Sequence, residues 1–82
     1  MSTINQCNPE GKRHGYWEAY LNNGNTIGKG DYINGEREGY WKYYHRNGNL
    51  HCKGNHINGK QDGYWEYYYR NGKFKISKFY VN

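Results

Sequence analysis

The amino-acid sequence predicts an all-β protein, a single-layer antiparallel meander of three β-hairpin repeats with about six strands. The stretch 39–48, GYWKYYHRNG, recurs almost unchanged at 63–72 and with more substitutions at 15–24, so the repeat is 24 residues long. A fixed period of this size indicates a repeat architecture. Each copy ends in Asn-Gly between aromatic and β-branched runs, which is the strongest short-range hairpin signal.

The composition fits a thin core built from aromatic rings. The chain has 82 residues, and aromatic residues make up 20% of them, with 11 Tyr and 3 Trp. The mean hydropathy of −1.38 is low, but the aromatic content, the single Pro and the strict period are opposite to a disordered composition. The rings therefore have to supply most of the buried apolar surface.

The first residues differ from the rest of the chain. Residues 1–10 form an N-terminal cap or tail, because Pro9 lies where a strand residue falls in the repeats. A short edge strand is expected over 3–7. The repeat array spans 11–82, divided into units 11–33, 34–57 and 58–82, and the segments 34–39 and 58–63 are interpreted as six-residue connections between hairpins.

The Asn-Gly dipeptides are interpreted as two-residue type I′ turns, whose residues both need positive φ. This choice sets the register of each hairpin. It places Trp17 opposite Gly30 and Trp41 opposite Gly54, so each indole is expected to lie over a glycine of its own hairpin. The turn glycines are Gly24, Gly48 and Gly72.

Alternation of side chains along the strands predicts an aromatic face. Tyr32 and His56 would extend its rings into a ladder across the whole sheet, and Thr26, Leu50 and Phe74 are assigned to the same face. The first expected role of these rings is structural, and the second is an uncovered apolar surface for binding. The candidate residues are Trp17, Trp41, Tyr43, Trp65, Tyr67 and Tyr69.

The other face is predicted to be basic and rich in tyrosine. The net charge is +5, and the positive charge increases toward the C-terminal repeat. Tyrosines between cations can stack on bases while the cations neutralise phosphates. Ile27 and His51 are assigned to this face, whose candidate anion-binding residues are Lys42, Arg46, Lys53, Arg70, Lys73 and Lys75.

Catalytic and metal-binding patterns are weak. Glu18 and Glu66 are interpreted as cross-strand charge partners, with Glu18 opposite Lys29, rather than as an acid and base pair. His45 and His51 are expected on opposite faces, which argues against a shared metal. Cys7 and Cys52 occupy non-equivalent repeat positions without metal-like spacing. We therefore expect no enzyme activity, no metal and no cofactor.

The sequence also bears on location. Free thiols suit a reducing cytosol, and residues 1–6 contain no apolar region of the kind found in secretion signals. A transmembrane segment of roughly 20 apolar residues is not found in the sequence. The expected location is cytoplasmic.

Taken together, these motifs resemble MORN repeats, in the variant with Gly-x-Trp-x-x-Tyr-x-x-Asn-Gly that includes the YwqK-like antitoxins. The resemblance covers 11 to about 81, and the third copy departs from it at Lys78, where Gly30 and Gly54 stand in the other copies. It implies an elongated meander of hairpins that serves as a scaffold for proteins or for association with phospholipid. The matching residues are the Gly-Tyr-Trp openings, Tyr20, Tyr44, Tyr68 and the three Asn-Gly turns.

The expected function is a non-enzymatic binding or scaffold module. Its aromatic face would meet a protein partner or a second copy of the chain. One alternative is a binder of anionic membrane lipid or nucleic acid that uses the basic face. Another, implied by the resemblance alone, is an antitoxin-like partner of a toxin protein.

Overall fold

The computed structural model describes residues 5–81, which form one six-stranded antiparallel sheet with the strands in sequence order. The principal extents are 40 × 35 × 13 Å, so the sheet is a single layer. The predicted fold class is confirmed. The strands are β1 Gly15–Tyr20, β2 Thr26–Ile33, β3 Glu36–Tyr44, β4 Leu50–Ile57, β5 Lys60–Tyr68 and β6 Phe74–Tyr80.

The turn inside each repeat has three residues rather than two. In the first repeat the Leu21 amide donates to the Asn25 carbonyl at 2.8 Å, and the Gly24 amide donates to the Leu21 carbonyl at 3.0 Å. Gly24 has a φ of 90°, but Asn23 is not among the residues with positive φ. This is the three-residue hairpin loop closed by a left-handed glycine, and the predicted type I′ turn at this position is wrong.

A β-bulge compensates for the longer turn. Tyr20 pairs with Thr26 while Ala19 pairs with Gly28, so Ile27 is the extra residue of the second strand. Beyond the bulge the two shifts cancel, and the predicted pairing of Trp17 with Gly30 is confirmed. The same bulge occurs in the other two hairpins.

The bulge changes the face on which side chains near the turn lie. Phe74 pairs with Tyr68, and their rings are 5.8 Å apart on the face opposite the tryptophans. The bulged residues Ile27 and His51 line grooves on the tryptophan side together with Tyr43. The sequence pattern does not show the extra residue, so the expected faces are wrong for Thr26, Leu50, Phe74, Ile27 and His51.

The type I′ turns lie between the repeats. Asn34 and Gly35 have φ values of 49° and 86°, and Asn58 and Gly59 have values of 52° and 83°. Ile33 pairs directly with Glu36 across the first of these turns. The predicted six-residue connections are thus two-residue turns, and their charged residues belong to β3 and β5.

A second irregularity sets the positions of Trp41 and Trp65. Asp31 pairs with Glu38 but Lys29 pairs with Lys42, so residues 39–41 oppose the single residue between Lys29 and Asp31. The φ of Gly39 is 76°, a conformation that favours glycine. The extra residues let the side chain of Trp41 fold back over β2.

Trp41 and Trp65 each cover a glycine of the preceding strand. A Cβ atom added to Gly30 would overlap the ring of Trp41, and one added to Gly54 would overlap Trp65. Trp41 is the backbone partner of Gly54, but its indole lies on the previous repeat. The expectation that Trp41 covers Gly54 is therefore wrong, and glycine is needed because of the following repeat.

The rings form a continuous ladder across the sheet, as predicted. Ring centroids are 6.0 Å apart for Trp17 and Tyr32, 5.0 Å for Tyr32 and Trp41, and 5.0 Å for His56 and Trp65. All three pairs meet edge to face, a favourable aromatic geometry. The buried core consists of Tyr32, Trp41, Cys52 and Trp65, with buried His56 between the last two tryptophans.

The segment before β1 covers the first edge of the sheet. The Asn5 amide donates to the Tyr16 carbonyl at 2.9 Å, and Cys7 forms a bridge with Arg13. The Asn5 side chain also bonds the amide and the carbonyl of Glu18, as a neighbouring strand would. Residues 3 and 4 of the predicted edge strand lie outside the described residues.

Candidate functional site

We call the side of the sheet that carries the tryptophans the aromatic face. Trp41 and Trp65 are buried there and Trp17 is half-buried. Tyr43 and Tyr67 are half-buried, whereas Tyr69 is 52% exposed and lies in the turn before β6. The tryptophans are therefore mainly core residues, and the tyrosines contribute more of the exposed surface of this face.

Tyr43 occupies a slot between two tryptophans. Its ring is stacked 5.8 Å from Trp41 and 6.1 Å from Trp65. The hydroxyl lies 3.1 Å from His56 Nε2, and burial raises the pKa of Tyr43 to about 12. The phenol therefore remains neutral near neutral pH and serves as a hydrogen-bonding group.

Two adjoining grooves run along the aromatic face. One has a volume of about 600 Å³ and lies over Cys52, His56 and Trp65. The other has about 290 Å³ and lies over Trp17, Tyr32 and Trp41. Ile27, Arg37 and Tyr43 line both grooves, so the grooves are neighbours on one surface.

Cations that the sequence analysis did not assign to this face stand above its rings. The Arg13 guanidinium is 4.9 Å from the ring centroid of Trp17, and that of Arg37 is 5.6 Å from Trp41. Lys78 Nζ is 5.5 Å from the centroid of the Tyr67 ring. Cations over aromatic faces are attracted by the ring quadrupole. A usable signal was present, since both arginines precede a Gly-Tyr-Trp tryptophan by four residues.

The residues predicted to form one basic face are dispersed. Lys42 and Lys53 lie on the face opposite the tryptophans, as predicted. Arg46, Arg70 and Lys73 are exposed in turns. The assignment of Lys75 is wrong, because the bulge turns it toward the aromatic face, where it lines a groove of about 410 Å³ with His51 and Lys78.

A row of charges crosses the middle of the opposite face. Glu18 pairs with Lys29, Lys29 with Lys42, Lys42 with Lys53, and Lys53 with Glu66. Lys53 Nζ is 3.5 Å from Glu66 Oε1. Three lysines thus lie on adjacent strands, although like charges directly opposite each other destabilise a sheet.

Tyrosines flank this row and bind its carboxylates. The hydroxyls of Tyr16 and Tyr20 both donate to Glu18, the first at 2.9 Å. These bonds lower the pKa of Glu18. Burial and the bond to Glu18 raise the pKa of Tyr16 to about 12. The Glu18 carboxylate is therefore held ionised, as a charge partner.

The family comparison agrees with the repeats seen in the sheet. The sequence model for a MORN repeat variant matches residues 13–34, 37–58 and 61–82, which together are most of the chain. The chain belongs to the MORN repeat variant family. No curated protein and no solved structure matches it significantly.

In this MORN array the histidines near the second turn lie together. The rings of His45 and His51 are 4.5 Å apart, so the expected placement on opposite faces is wrong. His45 Nε2 lies 3.0 Å from the Tyr68 carbonyl. Burial, with further contributions from His45 and Lys75, lowers the pKa of His51. Within residues 5–81, no group of three or more His, Cys, Asp or Glu side chains is placed to hold a metal ion.

Cys52 and His56 of the MORN core are held uncharged. Burial raises the pKa of the Cys52 thiol to about 11. Burial, together with the positive charge of Arg37, lowers the pKa of His56, and His56 Nδ1 has no hydrogen-bond partner among the described residues. The aromatic face therefore offers rings, neutral hydrogen-bonding groups and surface cations, which suit noncovalent binding.

The described part of the chain, residues 5–81, contains no helix long and apolar enough to cross a membrane.

Proposed function

We propose that this MORN array is a non-enzymatic binding module whose aromatic face docks an acidic segment of a partner protein. The observation that carries the proposal is the pair of adjoining grooves, floored by aromatic rings and edged by Arg13 and Arg37. Concave sites with apolar walls and a few polar groups are the usual form of binding sites.

The charges of this face favour an acidic partner over a second copy of the chain. Arg13 and Arg37 are exposed, and Lys78 and Lys75 continue the positive charge toward β6. Two copies meeting through the same face would bring these cations together, and each copy carries a net charge of +5. Opposite potentials across an interface speed association and exclude wrong partners.

The size of the sheet is also adequate. Its extents of 40 × 35 Å exceed the roughly 800 Å² per partner that a standard protein interface buries. A toxin protein is one partner of this kind that the resemblance to antitoxin-group repeats suggests. Arginine and aromatic residues are the types enriched at binding hot spots.

The test is binding of acidic peptides that contain aromatic residues, measured by titration calorimetry. We expect Arg13→Glu with Arg37→Glu to weaken the affinity at least tenfold. The matched control is Arg46→Glu with Lys73→Glu, which changes the net charge equally but in the turns, and it should retain most of the affinity. Equal losses in both variants would mean that only the net charge matters. Concentration-dependent dimers of the parent chain in sedimentation would favour self-association instead.

A second candidate function rests on the lysine row of the opposite face. Lys29, Lys42 and Lys53 lie side by side and are flanked by tyrosines, an arrangement that an anion would stabilise. Binding to phosphatidylserine vesicles or to oligo-dT at low salt, lost in Lys29→Gln with Lys42→Gln, would support it. Binding should also weaken steeply as the salt concentration rises. The absence of binding to both probes at low salt would remove this candidate.

A further inference from the structure

The first repeat lacks a side chain that the other two repeats place on the aromatic face. Ala19 stands at the repeat position of Tyr43 and Tyr67. Ala19 is exposed, whereas both tyrosines are half-buried. The repeats thus allow a direct comparison of one position with and without its phenol ring.

The two tyrosines show what this position normally holds. The Tyr43 hydroxyl bonds His56, thirteen residues further along the chain, and the Tyr67 hydroxyl bonds that of Tyr80 at the same separation. Both partners belong to the aromatic ladder. A phenol at this position therefore packs against the tryptophan rings and joins its hydroxyl to the next residue of the ladder.

The first repeat has the residues that would surround such a phenol ring, but it lacks the ring itself. Tyr32 occupies the ladder position equivalent to His56 and Tyr80, and its hydroxyl accepts a bond from Arg13 Nη1 at 3.3 Å. The groove of about 290 Å³ lies between Trp17 and Trp41. Gly28 also lines this groove, at the repeat position of Cys52 and Ile76, and the ring of Tyr43 lies against it.

We propose that this slot binds the para-hydroxyphenyl ring of a tyrosine from a partner protein. The ring lies between Trp17 and Trp41, and its hydroxyl bonds Tyr32 and Arg13. The exposed guanidinium groups of Arg13 and Arg37 stand at the slot, so acidic residues next to that tyrosine strengthen binding. This inference rests on the proposed function and specifies the partner's anchoring side chain.

The first test uses p-cresol as the probe and the Ala19 methyl resonance as the reporter. We expect saturable shifts of that resonance, with half-saturation on the order of 10 mM, as suits a small fragment. Toluene has the same ring without the hydroxyl, and we expect it to bind at least threefold more weakly. Shifts that do not saturate, or equal affinities for the two probes, would overturn the proposed slot.

The second test fills the slot from within the chain. Ala19→Tyr should raise the melting temperature and abolish p-cresol binding, whereas Ala19→Ser should preserve binding. Tyr43→Ala should create a second slot between Trp41 and Trp65 and add a second p-cresol site near His56. An Ala19→Tyr variant that is less stable than the parent, or that still binds p-cresol, would contradict the assignment.

The proposed slot and the proposed function can be refuted independently of each other. Acidic peptides that bind equally well with tyrosine or with alanine at their centre would remove the slot and leave the docking face. Binding of p-cresol without any binding of acidic peptides would retain the slot and remove the proposed protein partner.

Discussion

Gly54→Ala tests the main packing relation of the fold. The added Cβ would overlap the ring of Trp65, whose indole donates to the Asn55 carbonyl at 3.0 Å. Forcing the ring away costs about 1–3 kcal/mol as overpacking, and the lost hydrogen bond adds about 1 kcal/mol. Replacing a strand glycine with alanine also stabilises the strand by roughly 0.5–1 kcal/mol, which offsets part of this loss. We expect a net loss of about 1–3.5 kcal/mol in the free energy of unfolding, measured by urea denaturation.

A double-mutant cycle identifies which tryptophan is responsible. The effect of Gly54→Ala should largely disappear in a Trp65→Ala background, because residues in contact couple. It should persist in a Trp41→Ala background, although Trp41 is the backbone partner of Gly54. Trimethylamine N-oxide can be added to every sample, since it favours burial and keeps weakened variants folded.

The matched pair in the preceding repeat is Gly30 with Trp41. Gly30→Ala should couple to Trp41→Ala and be additive with Trp17→Ala. Coupling of Gly54 to Trp41 rather than to Trp65 would refute this packing, since it would place each indole on its own hairpin.

Three further predictions follow from single residues. The pKa of His56 lies below its ordinary 6.5 in the folded state, so the unfolded state binds a proton first as the pH falls. The free energy of unfolding should therefore decrease as the pH drops from 7.5 toward 5.5, by at most about 1.4 kcal/mol per pH unit. Thermal unfolding of His56→Tyr, which places a tyrosine at the position of Tyr32, should show a weaker dependence of stability on pH. With a pKa of about 11, about 0.1% of Cys52 is thiolate at pH 8. In a Cys7→Ser background, which removes the exposed thiol, a disulfide reagent should therefore label Cys52 only on unfolding, and rapid labelling of the native variant would contradict its burial. Gly39→Asn should destabilise the protein less than Gly39→Val in urea denaturation. The φ of Gly39 is 76° and an added Cβ would meet no atom within 4 Å, so only backbone strain opposes a side chain there, and Asn tolerates this conformation better than Val. Equal losses in the free energy of unfolding would indicate a steric cause.

The fold class was predictable because several local signals agree. The 24-residue period, the alternation and the Asn-Gly dipeptides each indicate hairpins. The turn types were not predictable in the same way, because Asn-Gly occurs both at 23–24 and at 34–35 and suits either kind of turn. The pairing of Trp17 with Gly30 was right only because the longer turn and the bulge at Ile27 offset each other.

The candidate site was predictable in part, for a related reason. The rings of the aromatic face follow from alternation through the middle of each strand, where the register is regular. Arg37 was interpreted as a loop residue because its segment is bracketed by glycines, but it lies in β3 and its guanidinium folds over Trp41. Bulges require no particular residue type at positions such as His51 and Lys75, so the sequence does not show that these side chains change face.

Lys78 shows how a repeat position depends on its neighbour. Gly30 and Gly54 are glycines because the tryptophan of the next repeat lies on each of them. Lys78 pairs with Trp65 as Gly54 pairs with Trp41, but in the described structure its ammonium lies over Tyr67 instead. A strand placed beside β6 would find backbone groups to pair with but no glycine on which an indole could lie. The lysine charge adds to this obstacle, since charged residues on edge strands oppose pairing with another sheet. Within this sheet, the residue at the glycine position is therefore determined by the strand that follows it, and the aromatic ladder can be extended only across a glycine.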